Sequence, residues 1–263
     1  MTIEWDIDPA IFKIGELEIR WYGLLFALSF MLGHMIVKKM FDREGVKEEW
    51  LDKLLIYVII GTVIGARLGH VFFYGWDYYS EHLAEIPQIW EGGLASHGGA
   101  IGIIIALWIY SKKVTNESIL WILDRVVVPV ALAGCFIRFG NLLNSEIVGK
   151  PTDVSWAFIF VRLKEVPPVP RHPSQIYESV SYLVIFFVLM YMYWKKSSGE
   201  KRGLLFGTFL VLIFTARFFI EFFKANQEAF EQNLPLNMGQ LLSIPFVIIG
   251  VYFVWRSLNG KSS

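Results

Sequence analysis

The amino-acid sequence predicts an all-α integral membrane protein of about seven transmembrane helices with a small extracytoplasmic cap and arm. Two observations predict this class. The 263 residues are 55% hydrophobic and 18% charged, whereas soluble domains are about a quarter charged. The apolar residues also form blocks of roughly 20 residues, the length of a membrane-spanning helix. The predicted spans are residues 21–37, 54–74, 93–110, 126–143, 179–194, 203–223 and 238–258.

Seven spans leave little chain for other structure, so we expect one polytopic membrane domain over residues 1–263. Two connecting segments are longer than turns. Residues 75–92, here called the arm, are aromatic and acidic, and we expect them to lie along the membrane interface, where Trp and Tyr are enriched. Residues 144–173, here called the cap segment, contain WAFIFV followed by VPPVPRHP. This pattern predicts a short extended piece closed by prolines.

The positions of Lys and Arg predict the orientation. The net charge is zero and therefore does not indicate a class of partner. No nucleic-acid partner is expected. Most of the loop Lys and Arg lie in residues 38–53, 111–118 and 195–202 and in the tail from residue 256, whereas the arm carries none. Because cytoplasmic loops carry this excess, we expect the N-terminus outside and the C-terminus in the cytoplasm. Residues 1–20 mix acids and bases, unlike a cleaved signal peptide, so the first span should remain.

Small residues within the spans predict packing. The second span carries Gly61, Gly65 and Gly69 at spacings of four, which indicates that another helix approaches it closely. Cys135 is the single cysteine, which excludes an internal disulfide and a cysteine-based zinc cluster. Its position within a span is typical of a small buried apolar residue. No internal repeat is visible, which argues against transporters built from inverted repeats.

Several charged residues lie at membrane depth, where an arginine costs about 2.5–3.5 kcal/mol on insertion scales and therefore faces a bundle interior or a wet cavity. Alternative interpretations remain: Arg217 with Glu221 as a simple intrahelical ion pair, and Arg67 as a snorkelling residue. Arg138 has no obvious carboxylate on its own helix, which favours an external anion as its partner. The pairs one helical turn apart are Arg67 with His70, Arg138 with Asn141, and Arg217 with Glu221.

His97 lies in GGLASHGGAIG, in which glycines remove side chains from around it. This bareness indicates that a ligand or another backbone comes near, although a hydrogen-bonded packing histidine is the alternative. We expect His97 and the polar groups of the fourth span to form one pocket open to the outer leaflet. Arginines and asparagines suit the binding of a phosphate, and a histidine suits proton transfer near neutral pH.

No protein nucleophile is evident from the motifs. The sequence lacks G-x-S-x-G, H-E-x-x-H and an aspartate-rich motif for metal-assisted phosphoalcohol transfer. GGAIG does not follow a predicted strand, which excludes a dinucleotide-binding loop. In an enzyme of this kind the attacking atom would come with the substrate. Two other classes stay open: a membrane carrier or channel for a small anion, since buried arginines also line anion pathways, and a lipid-binding scaffold without chemistry.

Six segments match the motifs of one known family, in order over nearly the whole chain. They are RWYG, GGLASHGGAIG, IRFGNLLNSEIVG, RHPSQIYE, RFFIEFF and NMGQLLSIP. The chain thereby resembles the prolipoprotein diacylglyceryl transferase family, and IRFGNLLNSEIVG corresponds to the family signature. Two positions depart from the pattern: Ile137 stands where the family commonly has glycine, and Ile213 where it often has tyrosine.

The resemblance implies an enzyme that transfers the diacylglyceryl group of phosphatidylglycerol to the lipobox cysteine of a preprolipoprotein. The reaction forms a thioether and releases glycerol phosphate, in the first step of bacterial lipoprotein maturation. The acceptor supplies the sulfur, which accounts for the missing nucleophile. The implied partners are phosphatidylglycerol, the preprolipoprotein signal peptide and the lipid bilayer, and no metal or soluble cofactor is implied. The implied location is the bacterial plasma (inner) membrane, with the active site towards the outer leaflet.

The resemblance also implies roles for individual residues. His97 is the expected base or proton shuttle, and Arg138 and Arg217 are expected to bind the lipid phosphate and stabilise the charge of the leaving group. Asn141, Asn144 and Glu146 are expected to orient the headgroup, and Gly149 to permit its close approach. Glu221 is expected to position Arg217. The other expected substrate-binding residues are Tyr22, Arg67 and His172.

Overall fold

A computed structural model describes residues 2–15, 17–196, 201–226 and 235–259. The chain divides into two compact units: the first comprises Met1–Met35 and Asp124–Ser263, and the second comprises Ile36–Leu123. The helices are α1 (Trp21–Glu44), α2 (Glu48–Tyr74), α3 (Trp76–Tyr79), α4 (Ser96–Tyr110), α5 (Ile119–Leu143), α6 (Ser174–Lys196), α7 (Leu204–Ile220) and α8 (Met238–Asn259).

The predicted all-α membrane class is confirmed, but the count of seven spans is only approximate. Within the described ranges, six helices are long and apolar enough to cross a membrane: α1, α2, α5, α6, α7 with its following turn, and α8. The predicted third span corresponds to α4, which has 15 residues and continues directly into a π-helical turn, Ser111–Thr115. The α-helical part alone is about 22 Å long, shorter than the roughly 30 Å hydrocarbon core. It begins late because Gly92 and Gly93 have positive φ angles of 89° and 68°, which no helix contains.

In the second unit, α2 and α4 are in backbone contact along the predicted glycine stripe. A Cβ atom placed on Gly65 would lie 2.8 Å from the Cα of Gly102, and one on Gly69 would lie 2.6 Å from the Cα of Gly98. Neither position has room for a side chain. The predicted close approach of another helix is therefore confirmed, and α4 supplies matching glycines at the contact.

The arm forms α3 and two short 3₁₀ turns, Leu83–Glu85 and Ile89–Glu91. Its outward side chains include the exposed Trp76 and Trp90. Exposed tryptophans on a segment next to a membrane span are typical of the lipid–water interface, as predicted for the arm.

The cap segment contains the predicted extended chain, and it is joined by a strand that the sequence reasoning missed. The strands are β1 (Ile3–Trp5), β2 (Ala10–Ile14), β3 (Leu17–Arg20), β4 (Phe158–Phe160) and β5 (Pro170–Arg171). β1 pairs parallel with β4, which pairs antiparallel with β5, while β2 and β3 form a separate hairpin.

An apolar cluster fixes the cap to the end of α5. Leu142, Phe158 and Phe160 are buried together, and Trp5 packs against them. The indole Nε1 of Trp5 donates to the carbonyl of Leu142 at 2.9 Å. Because Leu142 is in the last turn of α5, this contact holds the start of the cap segment beside the residues of the family-like signature.

Candidate active site

The site begins where α5 ends, at Glu146. The two residues that flank it, Ser145 and Ile147, both have φ angles of 55°, a left-handed conformation that is strained for a β-branched residue. The resulting turn directs the Glu146 carboxylate back towards the helix. Asn141 Nδ2 donates to Glu146 Oε2 at 3.4 Å, and Asn144 Nδ2 donates to Oε1 at 3.3 Å. The structure therefore brings together Asn141, Asn144 and Glu146.

Arg138 lies one turn earlier on α5 and reaches α6. Its Nε is 3.1 Å from Oε2 of Glu178, whose side chain is 0% exposed, while that of Arg138 is 19% exposed. Arg138 Nη1 also donates to Asn141 Oδ1 at 3.4 Å. As expected, the carboxylate partner of Arg138 is not on its own helix. It comes from α6, where spacing along α5 gives no sign of it, and so a missing carboxylate no longer favours an external anion.

The second arginine belongs to a cluster at the end of α7. Arg217 Nε lies 3.5 Å from Glu221 Oε1, the ion pair that the i,i+4 spacing predicts. Lys224 Nζ lies 2.7 Å from the same oxygen and 3.7 Å from Glu178 Oε1. Asn237 Nδ2 donates to the other oxygen of Glu221 at 3.0 Å. Lys224 therefore joins the carboxylate of Glu221 to that of Glu178.

These contacts make one chain of alternating charges, buried at its centre and partly exposed at both ends, in the order Arg138, Glu178, Lys224, Glu221 and Arg217. Three cations face two carboxylates, so the chain has one surplus positive charge when all five groups are ionised. An uncompensated charge away from water costs several kcal/mol. The carboxylate of Glu146, joined to Arg138 through Asn141, offsets this surplus in part. The partly exposed arginines at the two ends are the groups placed to bind an anion.

Glu178 and Lys224 were missed as site residues in the sequence reasoning. Lys224 stands three residues after Glu221. This spacing, which places two residues on one face of a helix, is visible in the sequence. Glu178 lies in RHPSQIYE, one of the six matched motifs, but no role was assigned to it. Its pairing with Arg138 depends on the packing of α6 against α5, and no spacing along the chain predicts it.

Gly149 and His172 lie beside this cluster. A Cβ on Gly149 would lie 2.6 Å from the Cβ of His172 and 2.8 Å from the carbonyl oxygen of Phe223. The Gly149 N–H donates to the His172 carbonyl at 3.1 Å, and Gly149 forms an antiparallel bridge with Lys224. The close approach at Gly149 is thus made by the protein's own backbone, which ties the cap segment to the end of α7.

Tyr22 is placed next to the signature by the first turn of α1. A Cβ on Gly140 would lie 2.7 Å from Cδ2 of the Tyr22 ring. The ring therefore packs on the backbone of α5 immediately before Asn141, and Gly140 provides the space for it.

Arg67 belongs to the second unit and holds the arm. Its guanidinium donates to the carbonyls of Glu85 at 2.8 Å, Ile86 at 2.7 Å and Gly92 at 2.8 Å, and it lies over the ring of Tyr79. Its side chain is buried. These contacts replace the snorkelling interpretation, because the positive charge is solvated by backbone carbonyls.

His97 lies in the first turn of α4, also in the second unit, and is exposed. Two of the glycines after it, Gly98 and Gly102, contact the backbone of α2. Helix packing therefore explains part of the lack of side chains around His97. The imidazole makes no hydrogen bond or ion pair with the residues that the structure describes, which leaves its ring nitrogens available.

Comparison with known proteins decides the family. The model of the family described as prolipoprotein diacylglyceryl transferase matches residues 9–256. This chain belongs to the prolipoprotein diacylglyceryl transferase family. It is 53% identical over 257 residues to the phosphatidylglycerol–prolipoprotein diacylglyceryl transferase of Chloroherpeton thalassium, covering 98% of this chain and 95% of the relative. Proteins of the same name in Porphyromonas gingivalis and Tolumonas auensis are 49% and 46% identical, each over 98% of this chain and over 95% and 98% of the relative.

The resemblance drawn from the six motifs is thereby confirmed at the level of the family. The matched range contains the whole buried chain of charges as well as His97. The prolipoprotein diacylglyceryl transferase family is thus matched both in the unit that carries the arginines and in the unit that carries the histidine.

Proposed function

We propose that this chain transfers the diacylglyceryl group of phosphatidylglycerol to the lipobox cysteine of preprolipoproteins, the first step of lipoprotein maturation. The observation that carries the proposal is the buried chain of five charged groups with one surplus positive charge, in a member of this transferase family. A phosphodiester has one negative charge and complements that surplus.

Arg138 and Arg217 are the proposed phosphate ligands. They form the two ends of the chain, and their side chains are partly exposed at 19% and 27%, whereas the central Glu178 and Lys224 are 0% and 5% exposed. The ends are therefore the groups that an incoming lipid can reach. A planar guanidinium binds phosphate oxygens in pairs, and its attraction for the anion is stronger in a poorly hydrated site than in water.

The proposed reaction needs no nucleophile from this chain. The thiolate of the acceptor attacks the glyceryl carbon that bears the phosphate; a C–S bond forms and the bond from that carbon to the phosphate oxygen breaks. The electron pair leaves on the phosphate oxygen, so the phosphodiester becomes glycerol phosphate with a second negative charge. Arg138 and Arg217 would stabilise this charge as it develops, which is how an anion-binding site accelerates a reaction.

His97 is the proposed acceptor of the thiol proton. A free thiol has a pKa of about 8.5, so only a minor fraction is thiolate at neutral pH, and a base increases its reactivity. The exposed imidazole of His97 is available for that step. Asn141, Asn144 and Glu146 form the proposed contacts that orient the headgroup.

A transfer assay tests the proposal against the carrier and scaffold alternatives. The purified protein is incubated with phosphatidylglycerol labelled in its acyl chains and a lipobox peptide, with a peptide of the same sequence but serine for cysteine as control. We expect label on the cysteine peptide alone, with glycerol phosphate released in equal amount. Uptake of a small anion into vesicles without transfer would identify a carrier. Lipid binding with neither result would identify a scaffold.

The proposed topology places the active site towards the outer leaflet of the plasma membrane, with the N-terminus outside and the C-terminus in the cytoplasm. It requires α4, together with the π-helical turn that continues it, to cross the membrane as a seventh span. The charge asymmetry of the loops supports it. Reporter fusions after Lys112 and Lys196 are expected to be cytoplasmic, and a fusion after Asp77 external. An external reporter at Lys196 would contradict the arrangement of the spans.

Cys135 is expected to be dispensable, because the reacting sulfur belongs to the acceptor. Its Sγ is buried and lies 3.2 Å from the hydroxyl of Ser179, so a serine at this position would find a hydrogen-bond partner. Cys135→Ser should keep most of the transferase activity per inserted protein molecule. Complete loss of activity in a normally inserted variant would instead point to a covalent intermediate on Cys135.

A further inference from the structure

Three buried polar atoms without a hydrogen-bond partner lie around Glu146. Among the described residues, the side chains of Asn144, Ser145 and Gln175 each leave one such atom, namely Oδ1, Oγ and Oε1. Asn144 and Ser145 adjoin Glu146 in the chain, and Gln175 Nε2 donates to the Glu146 carbonyl at 2.7 Å. Buried polar atoms are normally paired, so three residues that adjoin or contact Glu146 and each leave one atom unpaired point to a ligand that supplies hydrogen-bond donors.

The orientation of Gln175 is fixed by its one hydrogen bond. A carbonyl oxygen only accepts, so the amide nitrogen of Gln175 must face Glu146 and the amide oxygen must point away from it. This residue is 0% exposed, and Ser145 is 6% exposed. The Glu146 side chain next to them is exposed, which gives the cluster an opening.

The cluster is continuous with the proposed phosphate site. Gln175 precedes Glu178 by three residues on α6, so both lie on one face of that helix, and Glu178 contacts Arg138. On α5, Arg138 contacts Asn141, which in turn contacts Glu146. A phosphate held by Arg138 would therefore place its headgroup substituent beside the free acceptor atoms.

We infer that Gln175, with Ser145, recognises the hydroxyl groups of a glycerol headgroup and determines which donor lipid the enzyme uses. This inference rests on the proposed function. Two amide oxygens can only accept hydrogen bonds, which matches the donor capacity of a diol.

The test compares two donors with the same charge, phosphatidylglycerol and phosphatidylpropanol, which lacks both headgroup hydroxyls. In the wild-type enzyme, kcat/KM should favour phosphatidylglycerol by about 10- to 100-fold, the effect of leaving buried acceptors unpaired. Gln175→Met keeps the side-chain length and removes the acceptor. Because it also removes the hydrogen bond to the Glu146 carbonyl, both donors can lose activity, but kcat/KM for phosphatidylglycerol should fall further, so that the preference falls to about three-fold or less.

The matched control is Gln240→Met. Gln240 is also buried in the first unit, but both ends of its amide are bonded, to the backbone N–H of Asn237 and the carbonyl of Phe218. This variant should affect both donors by the same factor. If Gln175→Met fails to insert, Ser145→Gly serves instead, because glycine suits the positive φ angle and only a hydroxymethyl group is lost; it should also reduce the preference.

The inference is overturned if the wild-type enzyme uses both donors equally, or if Gln175→Met, or Ser145→Gly in its place, leaves the preference unchanged. Equal losses with both donors would mean that the cluster holds only water or supports the fold. A wild-type protein that transfers from neither donor would reject the proposed function itself.

Discussion

Arg138→Lys is expected to lose most of the transferase activity and to weaken phosphatidylglycerol binding, with normal membrane insertion. Arg138 Nε faces Glu178 while Nη1 faces Asn141, so the guanidinium is held by two helices and still offers N–H groups to a ligand. Lysine keeps the charge but lacks the planar guanidinium, whose several N–H groups can bind a carboxylate and a phosphate at the same time. The measurements are transfer per inserted molecule and binding of labelled phosphatidylglycerol to the purified variant.

Arg125→Lys is the control for Arg138→Lys. Arg125 is a buried arginine on the same helix, about 20 Å along it from Arg138. We expect its replacement to change the amount of inserted protein more than the activity per molecule. If Arg138→Lys and Arg138→Gln both bind and transfer like the wild type, the assignment of Arg138 to the phosphate is wrong.

A double variant separates phosphate binding from charge balance. Because Glu178 is 0% exposed and next to Arg138, Arg138→Gln alone leaves a buried carboxylate with one cation fewer, which is costly whatever Arg138 does. Arg138→Gln with Glu178→Gln removes both charges. If Arg138 only neutralises Glu178, the double variant regains activity. If Arg138 binds the phosphate, the double variant inserts well and remains inactive, which is the result we expect.

His97→Gln is expected to reduce turnover by about 10²–10⁴-fold, the usual contribution of a general acid or base, while lipid binding is retained. Glutamine can still form hydrogen bonds but accepts no proton at neutral pH. The exposed position of His97 and its lack of contacts with the described residues make a large effect on folding unexpected. The measurement is single-turnover transfer to the lipobox peptide.

The matched control for His97→Gln is His82→Gln in the arm of the same unit. His82 stacks on Tyr78 and bonds to the Tyr78 carbonyl, and its replacement should stay within a few-fold of the wild type. Since the acceptor thiol ionises near pH 8.5, raising the assay from about pH 7 to about pH 9 should restore part of the activity of His97→Gln. Activity close to that of the wild type at neutral pH would leave thiol activation to the arginines.

The predicted spans agree with the observed helices where the sequence pattern that predicts them lies within a single helix. Spans 54–74 and 238–258 fall within α2 and α8, because a bilayer demands a continuous run of apolar residues that is visible in the sequence. The glycine stripe of α2 was recognised for the same reason, since its spacing of four is a property of one helix. α4 was predicted too long because its preceding glycines adopt positive φ angles, which a hydropathy pattern does not register.

The candidate site was predicted in part. Asn141, Asn144 and Glu146 were assigned to the site through the family resemblance, and the structure brings them together. Arg217 was paired with Glu221 because the two are one helical turn apart. Gly149 was expected to permit close approach of the headgroup. In the structure it permits close approach of the backbone of His172 and Phe223. Glycine reports a close approach but does not identify what approaches.

The sequence by itself determined the membrane class, the order of the spans, the family and most of the polar groups that need a partner, because each of these depends on local composition or on spacing within one helix. Only the tertiary structure decided the partners that charged groups have on other segments of the chain. The contacts of Glu178 with Arg138 and Lys224, and of β1 with β4, join segments far apart in the chain. Such pairings follow from how helices and strands pack, and a buried charge takes whichever partner that packing brings within reach.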